Sequence, residues 1–289
     1  MNMKKIFLLD VFFLLALQYI FFHGLGATYR WVNSSLVHIP IFLAWFNIQM
    51  LFLCLATLVL VMVGLALRGK SFVWLGFEAL PKNTVSSIGL FIALSFPIAL
   101  LGRLIVSDFD AWYANGAGLL SWAGVGAFVV TLVFSVLKEE LLQRFMQRML
   151  MEHLSNLSIA IVMASSFALA HYFTPVAYGV SSVVSVAFIA FLLAVLYLRT
   201  KNILVTFFFH FCFNLIITIQ ISLHARGDGV GEFLLWSLWG LAFLWTLKPA
   251  WKALRESLSF SSSDLQPKTL VFLTLFGFLL PLLYTFLLN

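Results

Sequence analysis

The chain has 289 residues, 63% of them hydrophobic and only 10% charged, with a mean hydropathy of +1.06. Soluble domains carry about 25% charged residues, so this composition excludes a water-soluble globular protein and describes a polytopic membrane protein. The net charge of +6 does not point to nucleic acid, because the basic residues fall in small groups between apolar runs and form no basic face.

Nine apolar runs follow one another along the chain. Each is expected to be helical, because backbone exposed to lipid must satisfy its own hydrogen bonds. The expected fold is all-α: a polytopic transmembrane helix bundle of about nine spans, forming a single integral membrane domain over residues 1–289. The spans run Ile6–Phe22, Ile41–Leu67, Val85–Val106, Leu119–Gln143, Ser158–Phe173, Tyr178–Leu198, Ile203–Ser222, Phe233–Leu247 and Thr269–Leu288. The first has the outline of a signal peptide. Asp10 interrupts it, however, and Gly24-Leu25-Gly26-Ala27 is a poor cleavage site, so it is expected to be retained. The second and fourth exceed the ~20 residues a span requires and should tilt or protrude. The eighth is short.

With the N-terminus inside, thirteen of the seventeen Lys and Arg residues fall on inner segments, three (Arg30, Arg103 and Arg226) on the outer side, and Lys138 is left within the fourth span. That is the sense of the positive-inside rule. N-in with nine spans is the expected topology, and eight spans is the runner-up. Between spans, Gly69 to Asn83 reads as an amphipathic interfacial piece, with Trp74 and Phe77 suited to the headgroup layer. Ser107 to Gly118 reads as an outer loop, and the serine-rich stretch from Ser257 to Gln266 as an inner linker. Cys54 and Cys212 lie within apolar runs and suit packing better than a disulfide.

Charge concentrates at one place. Val136 to Arg148 holds five charged residues in thirteen, at the end of a membrane-length run. Ionisable groups in such a setting are costly and mark functional sites. Successive helical residues point about 100° apart, so Glu139 and Glu140 should not face the same partner. Glu140 and Arg144 are four apart and should pair. Glu139 has only Gln143 at that spacing, which makes it the freer carboxylate, available as a base or a metal ligand. Interfacial solvation of both glutamates is the competing explanation.

His171 ends an apolar segment of the fifth span, and a lone histidine there is more often packed than catalytic. His210 and Asn214 lie four apart on the seventh span, able to converge on one atom or to serve as interhelical hydrogen-bond glue. Together, a carboxylate, two imidazoles and an amide on three helices suit hydrolysis, with a base for water and donors for an oxyanion. They equally suit a zinc site built from Glu139, His171 and His210.

Glu139-Glu140-x-x-x-Arg144, Phe167-x-x-x-His171 and His210-x-x-x-Asn214, in that order, resemble the motifs of the CAAX-protease and bacteriocin-processing (CPBP, or Abi) family of intramembrane endopeptidases. The tract from Leu196 to Ile203 resembles the family's run at that point. The resemblance covers a catalytic core at about residues 119–217. It implies a protease, a hydrolase in which Glu139 and His171 activate water and His210 and Asn214 stabilise the oxyanion or hold a metal. Arg144 would then be structural, paired with Glu140. It leaves a metalloendopeptidase and a glutamate-type enzyme both open. Ala168, Ala190 and Ala194 stand where the family often has glycine, so helix approach is expected to be slightly wider.

The implied substrate is a lipidated or membrane-anchored peptide reached within the lipid bilayer, with no nucleic-acid partner, and the expected location is a bacterial inner (plasma) membrane. Two rival readings are a proton-coupled transporter, against which the absence of an internal repeat counts, and a non-catalytic immunity or scaffold protein on the same fold. Counting ~1.5 Å per residue from the inner span ends puts Glu139 about 6 Å deep, His210 about 11 Å and His171 about 20 Å. The three can meet only if the fifth helix starts lower, near Met151, or the fourth is drawn further in.

Overall fold

The computed structural model describes residues 39–78, 81, 83–105, 122–152, 154–172 and 180–258. Seven α-helices lie among them: α1 (Ile39–Leu67), α2 (Thr84–Ile105), α3 (Trp122–Leu150), α4 (Asn156–Tyr172), α5 (Val180–Thr200), α6 (Ile203–Ala225) and α7 (Gly229–Ser257). A short 3-10 turn, Phe72–Leu75, lies between α1 and α2. Four stretches are long and apolar enough to cross a membrane: Met50–Leu67, Thr84–Leu101, Ile203–His224 and Gly229–Ser257. The chain is a helical membrane protein. The expected first and ninth spans, the outer loop near residues 107–118 and most of the 257–266 linker lie outside the described residues.

Two span boundaries differ from expectation. The eighth, expected to be short, is the 29-residue α7. Lys248, Lys252 and Arg255 lower its hydropathy without breaking its hydrogen bonds, and even Pro249 is accommodated inside it. The fourth does not stop at Gln143 but continues as α3 to Leu150. In this extension Arg144 and Gln147 reach backbone carbonyls of α5.

α3 packs against α1 on one side and α6 on another; α5 packs along α4 and α2, and α2 along α7. The core runs through α3 and α5, where Val136, Phe145, Leu192, Leu193 and Tyr197 are fully enclosed. Large apolar side chains on the outer faces of α1 and α7, such as Phe52 (71% exposed) and Trp245 (87% exposed), are placed for hydrocarbon.

The segment after α1, expected as an amphipathic interfacial piece, holds the 3-10 turn, which docks against α3 and α5. Trp74 meets Phe145 edge-on at 6.1 Å, and the Tyr197 hydroxyl donates to the Leu75 carbonyl at 3.1 Å. Gly76, at φ +84°, lies so close to the α5–α6 connection that an added Cβ would fall 1.9 Å from the Lys201 carbonyl oxygen. Asn202 joins the same junction, since its side chain caps α6 by accepting from the Val205 amide at 3.1 Å and donates to the Glu78 carbonyl at 3.1 Å.

Candidate active site

Glu139 and Glu140 lie midway along α3, both buried, at the interface with α6. Adjacent residues on a helix diverge, yet both carboxylates reach His210. The His210 Nδ1 is 2.9 Å from Glu140 Oε1, and its Nε2 is 3.7 Å from Glu139 Oε2. The expectation that they could not share a partner is therefore corrected. An imidazole carries nitrogens on two edges, and a ring inserted edgewise spans the 100° between the side chains.

Hydrogen-bond logic sets the proton positions. The Glu140 carboxylate accepts only, so His210 Nδ1 must donate. The neutral ring then turns a lone pair, and the charged ring an N–H, toward Glu139. At 3.7 Å that contact is too long for a direct hydrogen bond and suits a bridging group between the two. Glu139 Oε1 is held separately, accepting from the Ser135 hydroxyl one turn earlier at 3.2 Å.

Glu140 is anchored from the other side, as its spacing predicted. The Arg144 Nε lies 2.9 Å from Glu140 Oε2, with both side chains enclosed. Arg144 does more than pair within its helix. Its Nη1 donates to Gln147 Oε1 and, at 3.3 Å, to the Leu193 carbonyl on α5, while its guanidinium sits 5.5 Å from the Tyr197 ring centroid. Gln147 donates to the Ala194 carbonyl at 2.7 Å. The Ala194 backbone is thus in contact with α3, and Ala168, Ala190 and Ala194 are all buried.

His171, near the end of α4, is half-buried and donates from Nδ1 to the Phe167 carbonyl at 2.9 Å, which leaves the lone pair on Nε2. Phe167 lies between the two imidazoles, 4.4 Å from the His171 ring and 6.0 Å from the His210 ring. His171 is within electrostatic reach of Glu139, His210 and Lys138. The depth mismatch is resolved chiefly by α3. Its extension to Leu150 places Glu139 eleven residues, about 16 Å, from the helix end. Asn214, one turn beyond His210, is half-buried, and its carbonyl accepts from the Thr218 hydroxyl at 2.7 Å. Its side-chain amide makes no hydrogen bond with a described residue.

Among the described residues no three His, Cys, Asp or Glu side chains converge closely enough to hold a metal ion. Glu139 and His210 supply two donors at suitable separation, and Glu140 on the other nitrogen of His210 is the kind of carboxylate partner that orients a metal-binding imidazole.

Ser135 and Gln147 are not among the residues that the motif spacing marks. A signal was present, because Thr131, Ser135, Glu139, Gln143 and Gln147 recur every fourth residue on α3. Thr206, His210, Asn214, Thr218 and Ser222 do so on α6. Two polar i, i+4 ridges in apolar helices suit ridges-into-grooves packing of α3 against α6, and all but Ser135 and Asn214 are buried. Lys138 was also passed over. It is 1% exposed, and its Nζ lies 3.9 Å from Met50 Sδ on α1.

Residues 121–216 match the family model of type II CAAX prenyl endopeptidase Rce1-like proteins. The matched region covers about a third of the chain and contains Glu139, Glu140, Arg144, His171, His210 and Asn214. No curated protein and no solved structure matches.

Proposed function

Residues 121–216 belong to the Rce1-like family, and from that premise we propose that the chain is an intramembrane endopeptidase hydrolysing a peptide bond in a lipidated or membrane-anchored substrate. The observation that carries this reading is the His210 imidazole between two differently held carboxylates. Glu140, neutralised by Arg144, orients the ring. Glu139, held by Ser135 through one oxygen, turns the other toward His210.

In the proposed reaction a water molecule sits at Glu139, with His171 on the facing helix assisting. Glu139 takes a water proton as hydroxide attacks the scissile carbonyl carbon. His210 in its charged form and the Asn214 amide donate to the oxyanion of the tetrahedral intermediate. The proton held by Glu139 passes to the departing amine, which restores the carboxylate. The bilayer position of the helices suits a substrate that is itself membrane-bound, and a bacterial inner membrane is the proposed location.

The test is cleavage of a prenylated peptide by the full chain in vesicles, with and without chelator. Glu139→Gln and His210→Ala should each abolish cleavage, and the parent should retain it in chelator. Cleavage by Glu139→Gln at the parent rate would overturn the assignment. Loss in chelator with recovery on zinc would replace water activation by Glu139 with a metal mechanism. Proton-driven uptake without cleavage would favour the transporter reading.

A further inference from the structure

The α5–α6 connection carries a feature that catalysis does not use. Lys201 has φ +52°, and it is the non-glycine residue in left-handed conformation among the described residues. An L side chain there is disfavoured where glycine is not. Its ammonium lies 3.7 Å from Met151 Sδ, just past the end of α3, where Arg148 stacks its guanidinium 5.6 Å from the Trp74 ring centroid. Partial desolvation of its ammonium and the Arg148 charge push the Lys201 pKa down to about 8, although the residue as a whole is exposed. Two cations are thus brought together at a strained position, which favours an anion between them. Trp74 and the exposed Val73 and Leu67 mark this end of the bundle as interfacial.

We propose that Lys201 and Arg148, over Trp74, form a binding site for the phosphate of an anionic phospholipid headgroup. The lipid would seat against the docked turn at residues 72–76 and brace the C-terminal end of α3, the helix that carries Glu139 and Glu140 further along. The aromatic floor and exposed apolar rim favour a lipid over a soluble anion, because a headgroup brings acyl chains to cover that rim.

The test uses the full chain in phosphatidylcholine vesicles, with or without one third phosphatidylglycerol, and reads thermal unfolding without substrate. It is therefore independent of the peptidase reading. Phosphatidylglycerol should raise the parent Tm by a few degrees. Lys201→Gly should be at least as stable as the parent in phosphatidylcholine, because glycine relieves the backbone, yet should lose most of the lipid-induced rise. Lys201→Gln, which keeps the strain and removes the charge, should lose it too. A full rise in both variants would overturn the site. An equal rise from inorganic phosphate added to phosphatidylcholine vesicles would assign it to soluble anions and overturn the lipid.

Discussion

The Nδ1 of His210 lies 2.9 Å from Oε1 of Glu140, the same carboxylate whose other oxygen meets Arg144 at 2.9 Å. The Glu140–Arg144 pair inside α3 thereby orients an imidazole on α6. Glu140→Gln should remove both functions. It leaves Arg144 enclosed without its counter-charge, a loss of about 3–5 kcal/mol of stability, and frees His210 to rotate. Thermal unfolding in detergent should show the first effect. Cleavage rates at temperatures where the variant stays folded should show the second.

Ser135 acts on Glu139 as Glu140 acts on His210. Ser135→Ala removes the 3.2 Å hydrogen bond to Glu139 Oε1, a charge-assisted bond contributing about 1.5–3 kcal/mol. Cleavage should slow by about tenfold or more in kcat with KM little changed, and Ser135→Thr should restore it. A rise in KM alone would show that Ser135 serves substrate binding instead.

Arg144→Lys tests geometry against charge. A lysine retains the charge next to Glu140 but cannot also reach Gln147, the Leu193 carbonyl and the face of Tyr197. The expected cost is about 2–4 kcal/mol, read as a lowered Tm. Arg144→Lys at parent stability would reduce the clamp to a simple ion pair.

Gly76→Ala should be more damaging than its size suggests. The added methyl would lie 1.9 Å from the Lys201 carbonyl oxygen and 2.7 Å from Asn202 Cα, on a backbone at φ +84°. A destabilisation of at least about 1–3 kcal/mol is expected, together with faster proteolysis at the turn beside residue 76. A neighbouring control, Gly69→Ala, has open space around its Cβ despite φ +62° and should cost less.

Lys201 sets a pH dependence with a definite sign. Its pKa in the fold is about 8, against an ordinary 10.5. The unfolded chain therefore binds more protons between those values, and stability rises with pH across that window. Below pH 8 the penalty is fully present. In phosphatidylcholine vesicles the parent should gain Tm from pH 8 to pH 10 relative to Lys201→Gly, in which that increment is absent.

What the sequence by itself determined is the set of parts. Composition decided a helical membrane protein, because a chain so poor in charge cannot do otherwise than bury or span. Seven of its nine expected runs correspond to helices among the described residues. Spacing alone paired Glu140 with Arg144, an interaction within one turn that depends on helical periodicity and little else. Helix ends were less legible. α3 and α7 run past their apolar stretches: Arg144 and Gln147 of α3 reach carbonyls of α5, and Glu256 of α7 pairs with Arg199, contacts that hydropathy does not report.

Only the tertiary structure decided that His210 sits between both glutamates, that Ser135 holds Glu139, and that Lys201 adopts a left-handed turn under Gly76. Each of these depends on how one helix is rotated and shifted against another. Helical periodicity fixes where a side chain leaves its own helix. Packing decides what it meets, and at Glu139 and Glu140 it turned two diverging carboxylates toward one ring.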